Sequence, residues 1–87
     1  MAGVYQQLTE VTESTISMNW SSSDVVDFVW CSLDGGANWS PVGAANGKSG
    51  SFTMSSLTSG STYSVATRVR TKNTGTTHDT DALPVET

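Results

Sequence analysis

Cys31 and His78 are the only cysteine and the only histidine in this 87-residue sequence, and a nucleophile with its general base would have to be built from them. Cys31 lies in the apolar run VVDFVWCSL and His78 in the polar run HDTD, a separation that matches no nucleophile–base signature. His78 with Asp79 and Asp81 offers one imidazole and two carboxylates to a cation, without the ligand spacing of a recognised binding loop. A polar strand edge is the better reading of HDTD. A lysine crosslink of the isopeptide kind needs a buried lysine beside an acid, and Lys48 and Lys72 both sit in turn-like sequence. The expectation is a non-enzymatic protein with no metal and no cofactor.

Residue types suited to recognition are more evident. Asn-Trp-Ser occurs twice, at residues 19–21 and 38–40. Trp20 shares a face with Ile16 and Met18 and reads as core. Trp39 follows Gly35-Gly36 and precedes Pro41 near a hairpin end, so it either folds back to shield the hairpin, the favoured reading, or stands out to stack on a sugar or a partner side chain. Both tripeptides are formal N-glycosylation sequons, and the first lies in a strand beside a core tryptophan. Further on, Arg68, Arg70 and Lys72 alternate with Thr67, Val69 and Thr71, setting three of the four cations on one outward strand face. Binding is therefore assigned to Trp39, Asn38, Arg68, Arg70 and Lys72. A solvated strand face is the plainer account of the three cations.

Composition limits the partners. The net charge is −4 and the pI about 4.5, so nothing draws the whole molecule to phosphate backbones or anionic lipid. No apolar run approaches the roughly 20 residues that span a bilayer. Nucleic acid and membrane insertion are both excluded as expectations. Only 14% of the residues are charged, while Ser, Thr and Gly abound, the surface chemistry of many secreted β modules. One cysteine makes no internal disulfide, so the core rests on packing alone.

The elements that must position these residues are strands. Ile16-Met18-Trp20, Phe52-Met54 and Tyr63-Val65-Val69 show period two, and turn formers cluster at residues 21–24, 34–36, 46–48 and 73–75. Strands are expected at residues 6–12, 15–20, 25–33, 39–43, 51–55, 62–71 and 77–86. The pattern predicts one domain over residues 1–87, an all-β, seven-stranded antiparallel sandwich. The third strand is apolar on both faces. Asp27 shares a face with Val29 and Cys31, which favours Phe28 and Trp30 inward, and either register leaves excess apolar surface outside.

The segment Leu57-Thr58-Ser59-Gly60-Ser61-Thr62-Tyr63 resembles the fibronectin type III signature, a leucine followed by a Gly-containing turn and a tyrosine six residues on. Leu57, Gly60, Ser61 and Tyr63 match, and Ser59 stands where the family often has proline. Trp20 falls at the family's buried tryptophan, Phe28 at its third-strand aromatic, and the run from Tyr63 to Arg70 reads like its sixth strand. The segment SLDGGANWSPV is similar to the third-to-fourth strand hairpin of bacterial members. The lack of an N-terminal proline and a weakly marked last strand depart from the pattern.

The resemblance implies an immunoglobulin-like β-sandwich of fibronectin type III topology, with Trp20, Phe28, Leu57, Tyr63 and Val65 in the core and the Tyr63 hydroxyl bonded to backbone at the preceding crossover. It further implies a secreted, cell-surface or virion module that spaces or docks its neighbours in a larger bacterial or phage protein, such as a polysaccharide-degrading enzyme. Its partners would be adjoining domains of the same polypeptide or another protein. The alternative is a carbohydrate-binding or adhesion module using Trp39 and the outer sheet face. No Arg-Gly-Asp is present, so integrin binding is not carried over.

Overall fold

Every strand in the computed structural model, which describes residues 4–87, pairs antiparallel with its neighbours, and no helix interrupts them. Six strands form: β1 (Val4–Val11), β2 (Ile16–Ser32), β3 (Ser40–Met54), β4 (Thr62–Thr71), β5 (Thr77–Asp79) and β6 (Leu83–Glu86). Of the span expected to fold as one domain, residues 1–3 lie outside the described part.

Two of the expected turns are extended instead. Residues 21–24 lie within β2, and residues 46–48 lie within β3, so four expected strands fuse into two long ones. The reason is pairing on both sides of the expected turn. Ser21 and Ser22 are held by Tyr5 and Val4 of β1, and Val26 is already paired with Thr71 of β4 and Gly47 of β3. The β2–β3 register breaks between Ser21 and Val26, where β2 carries four residues against the single Lys48 of β3, a bulge at which the ribbon can bend. The expected last strand, 77–86, is split in the opposite way. Its first piece pairs with residues 68–70 of β4 and its second with residues 62–65.

The result is a curled antiparallel sheet. The first half of β2 lies between β1 and the second half of β3, while its second half lies between the first half of β3 and β4, which carries β5 beyond it. Ile16, Met18, Trp20, Phe52 and Met54 from one part pack with Val26, Val29, Cys31, Val65, Val69 and Val85 from the other in a single core cluster. A core enclosed by the two halves of a curled sheet is consistent with a β-sandwich.

The register of the third expected strand is the reverse of the favoured one. Val29 and Cys31 are buried, whereas Phe28 and Trp30 are half-buried and outside the core cluster. Phe28 is thus not a core residue. The cause is the irregularity between Val26 and Phe28, which keeps Val26 and Val29 both inward although they are an odd number of residues apart. Asp27 is drawn aside to Arg70.

Polar clamps tie the parts together. The Gln6 amide donates to the carbonyls of Val65 and Asp81 at 2.8 and 2.9 Å, and its oxygen accepts from the buried Thr67 hydroxyl at 2.9 Å. Leu57 and Tyr63 pack partly buried against the core, and the Tyr63 hydroxyl accepts a 2.8 Å bond from the Thr58 amide. The Leu57 amide donates to Ser14, anchoring this crossover to the turn between β1 and β2.

Candidate functional site

On the outward face of the second half of the sheet, cross-strand pairing dictates which side chains meet. Phe28 is opposite Arg70 and Arg70 opposite Thr77, while Trp30 is opposite Arg68 and Arg68 opposite Asp79. Directly opposed residues share a face, so the two aromatics and two arginines form adjoining rows. The Phe28 and Trp30 rings lie 4.6 Å apart, tilted by 52°, and the Arg70 guanidinium is 6.0 Å from each ring centre. Arg70 is held by Asp27 at 2.8 Å.

Trp39 joins this face from the loop before β3. The Arg68 guanidinium lies over its ring, 4.3 Å from the centre, and Arg68 is itself gripped by both oxygens of Asp79 at 2.7 and 3.0 Å. A forked pair of this kind fixes the guanidinium plane, and the fixed plane covers one face of the indole. Trp39 is accordingly half-buried. The loop behind it needs its glycines. Gly35 and Gly36 have φ of +75° and +99°, and a Cβ on Gly36 would stand 3.4 Å from Cζ2 of Trp39.

Asp34 organises the same loop. It accepts bonds from the Ser32 hydroxyl and from the backbone and side-chain amides of Asn38, at 2.7, 2.9 and 2.8 Å. These donors, those of Asn38 foremost, lower its pKa from the ordinary 3.8 to about 2. Asn38 therefore serves the loop, its amide group committed to Asp34. Lys72 lies beyond the end of β4 in the turn that follows, exposed, with its backbone amide bonded to Val25. The proposed binding residues thus divide. Trp39, Arg68 and Arg70 come together, Asn38 supports the loop beneath them, and Lys72 stands apart.

Phe28 and Trp30 complete the face, and the sequence signal for them was the double-sided apolar run itself. The residues that could do chemistry are not assembled. Burial pushes the Cys31 thiol up from its ordinary value, away from the reactive thiolate. His78 is opposite Val69, and Val69 is opposite Val29, so its backbone is two strands removed from β2, about 10 Å. Asp79 is occupied by Arg68. Among the described residues no group of three His, Cys, Asp or Glu side chains is arranged to hold a metal ion, and no helix is long and apolar enough to cross a membrane.

Compared with known proteins, the sequence matches no family model and no curated protein.

Proposed function

We propose that this chain is a non-catalytic, fibronectin type III-like accessory module that spaces and docks the domains of a larger extracellular bacterial or phage protein. The observation that carries the reading is the half-exposed row of Phe28, Trp30 and Trp39 braced by Arg68 and Arg70. Aromatics and arginines clustered on a rigid sheet face are the composition of a protein contact, since the aromatics bury large areas with few rotatable bonds and both arginines are already held by carboxylates. The occupant fitting this face best is an adjoining domain of the same polypeptide.

Two features support the finer topology. If β2 and β3 are each divided at the bend, β1 and two half-strands make a three-stranded layer, and the other two halves with β4 and β5 make a four-stranded one. That division and the order of pairing agree with the fibronectin type III arrangement. The Tyr63 hydroxyl bond to Thr58 agrees with its tyrosine corner.

Shape supports the spacer role. Val4 pairs with Ser22 at one end of the β1–β2 ladder, while Thr87 bonds Thr58 and Ser61 in the crossover tied to Ser14 at the other end. Neighbours joined in series would be held apart by a body measuring 40 Å along its longest axis. Carbohydrate binding through Trp39 is the weaker reading, because the indole face beneath Arg68 is not open to a sugar.

Hydrogen exchange tests the proposal. Amides of residues 28–30, 39–40, 68–70 and 77–79 are compared in the isolated chain and in the full natural polypeptide that carries it. Added protection confined to this face supports docking; equal exchange in both forms refutes it. Trp39 fluorescence that responds to a polysaccharide would move the assignment to carbohydrate.

A further inference from the structure

The outward face of the first half of the sheet differs in character. Register sets two rows of side chains across β1, β2 and β3, one of Tyr5, Ser21 and Ser49 and one of Gln7, Asn19 and Ser51. Between them runs the row Gln6, Trp20 and Gly50, which faces the other way. Trp20 is 4% exposed in the core, and the Gln6 amide reaches Val65 and Thr67. Backbone of this middle row floors a trough of about 610 Å³, walled by the two outward rows.

Three properties of the trough point to one class of ligand. Tyr5 is 68% exposed, far above the next large apolar side chains among the described residues, Leu8 and Val42 at 38%. The amides of Gln7 and Asn19 and the hydroxyls of Tyr5, Ser21, Ser49 and Ser51 make no side-chain hydrogen bond among the described residues, so their capacity is unspent. No lining residue is charged.

An anion would find no cation there, and a cation no carboxylate. A sugar ring without charge offers a C–H face to an aromatic and hydroxyls that both donate and accept, which is what an exposed phenol beside neutral amides and hydroxyls can satisfy. We propose that this trough binds a neutral oligosaccharide, with a sugar ring stacked on Tyr5 and its hydroxyls bonded to Gln7, Asn19 and the serines. The trough and the aromatic row lie on different outward faces, so either assignment can fail without the other.

Titration of the isotopically labelled chain, followed by amide NMR, decides the matter. The probes are soluble oligomers of glucose, xylose, mannose and N-acetylglucosamine, with oligogalacturonate as the anionic control. At least one neutral oligomer is expected to give saturable shifts centred on residues 5–7, 19–21 and 49–51, with oligogalacturonate inert. Tyr5→Ala, which removes an exposed ring, is expected to weaken that binding by about tenfold. Gln7→Ala should weaken it too and serves as the second variant, while Glu86→Gln, exposed on strand β6 away from both faces, leaves it unchanged. Absence of shifts in the trough with every neutral oligomer, or shifts indifferent to both variants, overturns the assignment.

Discussion

Gly50 is the position at which the core can be tested most sharply. A Cβ there would stand 2.9 Å from Cε2, Cζ2 and Nε1 of Trp20, well inside the roughly 3.5–4.0 Å at which carbon atoms rest against one another. The three atoms belong to one rigid ring, so relief requires the whole indole to move. Trp20 is 4% exposed, and its ring can retreat only into packed neighbours. Overpacking of this kind costs about 1–3 kcal/mol, and the stiffer unfolded chain of an alanine variant returns about 0.4–1 kcal/mol. Gly50→Ala should therefore lose about 1 kcal/mol, which for a domain of this size lowers Tm by about 4–8 °C. Gly47 supplies the control on the same strand, because nothing lies within 4 Å of its would-be Cβ. Gly47→Ala should be neutral or slightly stabilising. Calorimetry and urea titration of both variants measure the difference, and a Trp20→Phe background should shrink the Gly50→Ala loss if the indole is its cause. Equal stability of the two glycine variants would refute the close approach of Gly50 and Trp20.

Replacing Gln6 by leucine should cost about 1–3 kcal/mol in urea unfolding, since the buried Thr67 hydroxyl and the Val65 carbonyl lose their partner together. Arg68→Ala should raise acrylamide quenching of Trp39 fluorescence by uncovering the indole, whereas Lys72→Ala should leave it unchanged. Asp34 is an acid with a lowered folded pKa. Its support for the loop is complete above the ordinary value of 3.8 and is lost as pH falls through about 2. The Asn38 amide signal should titrate with a midpoint near that lower value and stop titrating in Asp34→Asn.

Much of the arrangement was legible because alternation is a local signal. Ile16, Met18 and Trp20 recur at period two, and all three are buried on one face. The spacing from Leu57 to Tyr63 indicated a corner, and the Tyr63 hydroxyl meets the Thr58 amide there. Elsewhere distant partners decide. Ser21-Ser22-Ser23-Asp24 is a turn by composition, yet β1 holds its first half and β4 captures the chain immediately after it, so the segment stays extended. The register of Phe28 and Trp30 turned on a bulge at residues 26–28, and nothing in a sequence with apolar residues on both sides announces a bulge. Gln6 gave no signal either. A single amide bonded to residues 59 and 75 positions away is invisible to any local pattern.

The charges bear on what the aromatic face can receive. The net charge of −4 comes from eight acids and four bases, and both arginines are spent within the face, Arg68 on Asp79 and Arg70 on Asp27. The remaining six acids and two lysines therefore carry the whole −4, while the aromatic row is locally neutral. Surface pairs like these add little stability in water, about 0–1 kcal/mol each. Their consequence is geometric, for each carboxylate fixes a guanidinium beside the aromatics, 4.3 Å from the Trp39 ring centre for Arg68 and 6.0 Å from those of Phe28 and Trp30 for Arg70. In the proposed docking role, a neutral, preorganised aromatic surface would receive an apolar partner of matching shape, with no need of opposite charge, and association through it should vary little with salt. Dependence on ionic strength thus separates docking through this face from attraction by the exposed lysines, Lys48 and Lys72, whose contacts would weaken steeply as salt rises.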